Sequence, residues 1–328
     1  MFSGKADCAV LDKSSIVAAG EPSWAENVFV YQKGVQPDRY YVRFTSGKLE
    51  GAWFNIVSNS PYSLVLEISK NELSAVAEGD SFEIIPHWTL NTLFPDGGSL
   101  TKSSDYASGT NCSIIAKYTY LDGNGELMLP EGSNRTFQKF FYYRQRNGIS
   151  EWRERGSGET SFNDEIVEPN SFILLRQPEG VADMELSFAG RVSNAPTALE
   201  IGNLSPDSGQ DNYIALPSAG DVKLSELTET LIDSGAMNSS SYAVIPKDVL
   251  CVYDNSESKT NRAASYHYFY YSGNSSPRGW YFVGSGDPAL RRADGHILKS
   301  GSAMVIIRQS RGRVEFLRVK FTPEYLRK

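Results

Sequence analysis

Residues 140–158 read FFYYRQRNGISEWRERGSG, and residues 268–286 read YFYYSGNSSPRGWYFVGSG. Each stretch opens on four aromatics, places a Trp ten residues after the third of them, and ends in Gly-Ser-Gly. All three matches share an offset of 128 residues, which marks an internal duplication. Working outward, EIVEPNSFILLRQ (165–177) aligns with HILKSGSAMVIIRQ (296–309) after a few inserted residues. Upstream, FEIIP (82–86) parallels NYIALP (212–217), and the two lead into WTLNTLF and DVKLSEL. Downstream, MELSFAG (184–190) parallels VEFLRVKF (314–321). The pattern predicts a first copy over 82–193, a turn-rich linker over 194–211 and a second copy over 212–328. Residues 1–81 form a separate N-terminal β unit.

Within the copies the strand signals are β-branched and aromatic runs bounded by turn residues. They are SIIAKYTYL (113–121), FQKFFYYR (137–144), EWRERG (151–156) and SFILLR (171–176) in the first copy. The second copy supplies VLCVYD, SYHYFYYS, GWYFVG and AMVIIR. Helix is minor, confined to TLNTLF (89–94) and LSELTETLIDSG (224–235), where Leu224, Leu227, Leu231 and Ile232 share a face and Gly235 is the stop. In the N-terminal unit NVFVYQKG, RYYVRFTSG, GAWFNIVSNS and SLVLEI read as four strands, and an EGD turn (78–80) of the kind found in small barrels follows. The expected fold class is all-β with minor helix: duplicated sandwich or barrel-like units plus the N-terminal β unit.

Side chains alternate across a strand, so Tyr266, Tyr268 and Tyr270 face opposite to His267, Phe269 and Tyr271. One aromatic face fills a core. The other is either covered or a platform for a sugar or protein partner. Cross-strand aromatic pairing accounts for most of the run. Trp152 and Trp280, near hairpin tips where a large ring is harder to bury, are the candidate ligand contacts, with Tyr143, Tyr271, Arg291 and Arg292 beside them.

With 40% hydrophobic and 22% charged residues the chain is globular. A net charge of -7 argues against nucleic-acid binding. Residues 289–328 nonetheless carry ten Lys or Arg against three acids, read as strand-face charges that block edge pairing, the alternative being a basic edge for a polyanion such as an acidic glycan. No apolar run reaches membrane-helix length, and the first residues lack the pattern of a signal peptide. Three Cys (8, 112 and 251) without a CxxC spacing signal neither a disulfide framework nor zinc, and Cys251 within VLCVY reads as a small buried hydrophobe.

Chemistry is sparse. The three His (87, 267 and 296) lack metal spacing, and no GxSxG or Walker loop occurs. Acids such as Asp164 with Glu168, or Asp287 with Asp294, are the material for a glycan hydrolase, the rival reading. Asp122, Asn124 and Glu126 in DGNGE have the alternate spacing of a calcium loop, without the full EF-hand pattern.

FEIIPHWTLNTLFP (82–95), QDNYIALP (210–217), DVLCVYDNS (248–256) with the aromatic strand and GW after it, and SGSAMVIIR (300–308) resemble an uncharacterised family of secreted proteins from Verrucomicrobia-type bacteria. The resemblance runs from about Trp24 onward. It implies export and β architecture; no reaction comes with it. Members of that family carry a signal peptide and a further N-terminal strand region, so a trimmed or unusual start is expected here. YFVGSGDPALRRADGHIL departs from the family hairpin in length and basicity. The resulting expectation is a non-enzymatic exported protein of the cell surface or extracellular space. It binds a glycan or a surface protein through its hairpin loops, or self-associates as a subunit of a layer or appendage.

Overall fold

The computed structural model describes residues 2–104, 111–119, 137–182, 184–188, 192–193, 195–254, 263–284 and 287–327. The chain is all-β, with helix limited to short turns among the described residues. It divides into two compact units, the first comprising most of residues 1–191 and the second most of 192–328.

The first unit opens with a closed six-stranded barrel. Its strands are β1 (Phe2–Val10), β2 (Ser15–Ala18), β3 (Tyr40–Phe44), β4 (Trp53–Asn59), β5 (Ser63–Leu66) and β6 (Ser81–Pro86), in the order β1-β2-β5-β4-β3-β6. Every second residue turns inward: Val42 and Phe44, Phe54 and Ile56, Leu64 and Leu66, Phe82 and Ile84 are buried. A one-turn helix α1 (Lys70–Leu73), closed by a Ser69–Glu72 capping box, precedes the EGD turn. There Gly79 has φ 86° and the Asp80 carboxylate accepts the Ala77 N–H at 2.9 Å. Two expectations change. FEIIP lies in β6, which pairs with both β1 and β3, so it closes the barrel instead of opening the first copy. NVFVYQKG is a run of turns and not a strand, with Phe29 packed edge-on against Trp24 and Tyr40 at ring distances of 5.3 and 5.4 Å.

The first copy follows in the same unit. It contains β7 (Trp88–Thr89), the turn of helix α2 (Leu90–Leu93), β8 (Ile114–Thr119), β9 (Phe137–Arg146), β10 (Ile149–Glu154), β11 (Ile166–Val167) and β12 (Ile173–Arg176). The sheet order is β10-β9-β8-β12, and β7 pairs with β11. The second unit contains β13 (Thr197–Asn203), β14 (Gln210–Ala215), β15 (Val222–Lys223), β16 (Val249–Tyr253), β17 (Tyr266–Tyr271), β18 (Gly279–Phe282), β19 (Ile297–Leu298), β20 (Ala303–Arg308) and β21 (Glu315–Phe321). Its sheet runs β14-β20-β16-β17-β18, and β15 pairs with β19. The predicted linker contains β13, which pairs along its whole length with β21. Leu199, Ile201, Val319 and Phe321 of that ribbon join the core built on Leu250, Tyr268, Trp280, Met304 and Ile306, which makes the second copy a sandwich. Among the described residues the first copy shows no such ribbon: Met184 and Leu186 pack on its core from a segment without strand pairing. LSELTETLIDSG forms a 3-10 turn and then a wider π turn, ended by Gly235 at φ 80°.

The duplication extends to single hydrogen bonds. Asn163 Oδ1 accepts the Trp152 N–H at 2.8 Å, and Asp294 Oδ1 accepts the Trp280 N–H at 3.0 Å. The N–H of Phe162 donates to the Trp152 carbonyl as that of Ala293 does to the Trp280 carbonyl. Leu90 N–H meets the Glu165 carbonyl, and Leu224 N–H meets the His296 carbonyl. One residue of register, however, differs from the sequence match. Trp152 stands opposite Tyr143, whereas Trp280 stands opposite Tyr270. Tyr143 therefore corresponds to Tyr270, Arg144 to Tyr271 and Arg153 to Tyr281. The hairpin connection is one residue longer in the second copy. A slip of one residue exchanges the faces of a strand, so the shared letters FFYY and YFYY do not share positions.

Candidate functional site

The predicted ligand contacts are core residues. Trp152, Trp280 and Tyr271 are 0% exposed and Tyr143 is 2% exposed. Trp280 meets Tyr270 edge-on at 5.5 Å and donates its indole N–H to Thr228 Oγ1 at 3.0 Å. Trp152 meets Tyr143 edge-on at 5.5 Å and Phe94 at 6.0 Å. Both rings point inward beneath the short helical turns, so neither offers a face to a sugar. This corrects the expectation drawn from the hairpin tips.

The basic C-terminal stretch is largely matched by acids. Arg308 and Arg313 share Glu315, Arg311 pairs with Asp248, Arg318 with Glu200, and Lys299 with Asp221. Arg292 is exposed and pairs with Asp294 at 2.7 Å. The candidate acids are used structurally: Asp294 also takes the Trp280 N–H, and Asp287 takes the Ala289 N–H at 2.9 Å. Glu168 approaches buried Lys117 at 3.3 Å, beside Glu165 at 2.7 Å. Asp122, Asn124 and Glu126 lie outside the described residues. Among the described residues no cluster of His, Cys, Asp or Glu is placed to hold a metal ion, and no helix is long and apolar enough to cross a membrane. Cys251 is buried, which pushes its thiol up to about 11.

The two copies differ most on the hairpin face turned away from the main core. In the first copy this face is ionic. Arg144 holds both oxygens of Glu159 at 3.2 and 3.0 Å, and Arg153 contacts Glu151 and Glu159 at 2.5 and 2.8 Å. In the second copy the corresponding Tyr271 and Tyr281, with Phe269, form an apolar cluster closed by Ala243. The loop that carries Ala243 is strapped to β17: Ser240 N–H donates to the Tyr270 carbonyl at 2.7 Å, and Ser272 N–H donates to the Ser240 carbonyl at 2.9 Å. Ser240 Oγ accepts the Tyr242 N–H at 3.2 Å and lies in hydrogen-bond reach of the Ile245 carbonyl.

Arg291 completes the strap. It is 9% exposed and donates to the Phe282 carbonyl at 3.1 Å and to the Ala243 carbonyl at 3.0 Å. Its partners among the described residues are these carbonyls and no carboxylate. It thus works as a strut between the loop and the end of β18, and not as the exposed ligand contact expected of it.

The consequence is on the outside. With Ala243 turned in, Tyr242, Val244 and Ile245 are turned out at 66%, 57% and 60% exposure. Leu290, next to the strut, is 86% exposed, and Val283, next to Phe282, is 40% exposed. Three apolar side chains are therefore held in water by a braced loop, with Val283 and Leu290 exposed on the segments that Arg291 ties to it. Singly exposed apolar residues are ordinary, but a group of them marks an interaction surface. Sequence reasoning passed over it. The signal available was SYAVIP (241–246), an apolar run too short for a strand and bounded by Pro.

Fold and surface together define a duplicated all-β scaffold: a barrel, two hairpin-bearing copies, and an apolar loop presented on the second. Comparison with protein-family models, with curated proteins and with solved structures found no match.

Proposed function

We propose that this chain is a non-enzymatic binding protein of the cell surface or extracellular space, and that it holds a protein partner on the surface formed by Tyr242, Val244, Ile245, Val283 and Leu290. The observation that carries this reading is the outward display of Tyr242, Val244 and Ile245 on a loop braced by Arg291, with Val283 and Leu290 exposed beside the brace. An unstrapped loop would collapse its apolar side chains onto the body. This one spends hydrogen bonds from Ser240, Ser272 and Arg291 to keep them out. A protein surface with its own apolar groups removes them from water at about 25 cal/mol per Å². A glycan is the weaker partner, because the rings that would stack on sugar are buried. Export is supported by the family resemblance alone.

Fluorescently labelled protein applied to intact source cells tests both parts. Wild type should decorate the cells, and Leu290→Asp, with an unchanged circular dichroism spectrum, should not. Equal decoration by both forms removes the function from this surface. Antibody labelling confined to permeabilised cells overturns the proposed location.

A further inference from the structure

The charges around the apolar group specify its partner. Arg278 precedes β18, and its carbonyl accepts a hydrogen bond from Arg292 at 3.2 Å. Arg278, Arg292 and Lys247 are exposed, and the buried strut Arg291 follows Leu290 in the chain. Against these four cations stand Asp287 and Asp294, both already engaged, Asp287 with the Ala289 N–H and Asp294 with Arg292 and the Trp280 N–H, and Asp233, whose charge reaches Tyr270 as those of Arg278 and Arg292 do. The Nε of Arg291 is buried without a hydrogen-bond partner, so this cation is incompletely neutralised close under the surface. The local surplus of positive charge runs against the rest of the chain, since residues 1–288 hold 22 Lys or Arg against 36 acids.

From this we infer that the surface takes an acidic amphipathic peptide segment of a partner protein. Its aliphatic or aromatic side chains cover Tyr242, Val244, Ile245 and Leu290, and its flanking Asp or Glu residues face Arg278, Arg292 and Lys247. The inference rests on the binding reading above and adds the chemistry of the partner. Exposed charges at the rim raise the association rate and reject basic partners, and salt screens them. The apolar centre supplies the salt-independent part.

A random peptide library displayed on phage and selected on the immobilised full chain is the test. Two exposed-site variants accompany it: Leu290→Asp, and Arg278→Glu combined with Lys247→Glu. Their folding is checked by thermal melting. The expected peptides place Asp or Glu beside aliphatic or aromatic residues. Their affinity should fall about tenfold or more on either variant, and several-fold on raising salt to about 0.5 M. Peptides that need Leu290 but carry no acids, and that ignore salt, would overturn the acidic partner and leave the protein-contact reading standing. No Leu290-dependent peptide at all sinks both. A wild-type dimer in sedimentation that Leu290→Asp dissociates assigns the surface to a second copy of the chain, and that also overturns the inference.

Discussion

His87 provides a direct check on how the first unit is held together. It follows β6 and is 3% exposed. Its Nε2 lies 2.7 Å from Asn55 Oδ1, while Asn55 Nδ2 donates to Glu67 at 2.7 Å, so Nε2 carries the proton. The ring packs on Tyr41 at 4.6 Å and on Trp53 at 5.8 Å, and Nδ1 is buried with no partner. Protonating Nδ1 would bury a charge and an unpaired donor. Burial first, then the Arg39 and Lys117 charges, push the imidazole from 6.5 down to about 3. With the folded value depressed, the unfolded chain binds the proton more tightly. The stability contribution is complete above pH 6.5 and is lost as pH falls toward 3. For that shift the loss between pH 7 and 5 is about 2 kcal/mol, in a range where ordinary carboxylates remain ionised. Four of the five Trp (24, 53, 88 and 152) lie in the first unit, so urea unfolding followed by Trp fluorescence reports mainly on it. His87→Gln keeps an N–H for Asn55 and cannot titrate. The variant should lose stability much less steeply than wild type over this range. Equal losses in both proteins would refute the reasoning.

Three further outcomes are expected in the second unit. Trp280→Phe and Thr228→Val, combined in a double-mutant cycle, should show a coupling of about 1 kcal/mol for the indole–hydroxyl bond, measured by chemical denaturation; zero coupling would remove that bond from the account. Asp248 is fully buried and accepts from Arg311 at 2.5 Å, from the Asn238 N–H at 2.6 Å and from the Gln309 N–H at 2.9 Å. Asp248→Ala strands the Arg311 charge and should cost about 3–5 kcal/mol by the same denaturation; a loss below about 1 kcal/mol contradicts this. Gly279 has φ 150°, and a Cβ there would lie 2.6 Å from the Asp294 carboxylate that holds the Trp280 N–H. Gly279→Ala should therefore destabilise by about 1–3 kcal/mol, seen as a lower melting temperature, and an unchanged melt would refute the close approach.

The architecture was legible where local signals were strong. Alternating β-branched and aromatic runs located β3, β4, β5, β8 to β10 and β16 to β18, and the recurring Trp between the aromatic run and Gly-Ser-Gly tied the copies together. Legibility failed where long-range contacts decide. β1 (FSGKADCAV) has little strand propensity and forms because β2 and β6 flank it. TALEIGN, inside the predicted linker, is a strand because β21 pairs with it. NVFVYQKG has the composition of a strand but spends Phe29 on loop packing. The letters FFYY and YFYY gave the repeat but not its register, because Tyr and Phe satisfy either face of a doubly covered strand. The buried Trp rings looked functional because their size and position near a turn resemble those of a binding aromatic. The displayed surface has no such marker. Tyr242, Val244 and Ile245 are ordinary apolar residues, and only the strap through Ser240 and Arg291 shows that they face outward.

Stability and binding measured side by side for Trp280→Phe and Leu290→Asp test the central claim, that the hairpin aromatics are scaffold and the displayed loop is the working surface. Trp280→Phe should lower the denaturation midpoint and leave affinity for selected peptides or cells unchanged. Leu290→Asp, at an 86% exposed site, should leave the midpoint unchanged and abolish binding. The reverse pattern, with binding lost on Trp280→Phe and kept on Leu290→Asp, would contradict the account.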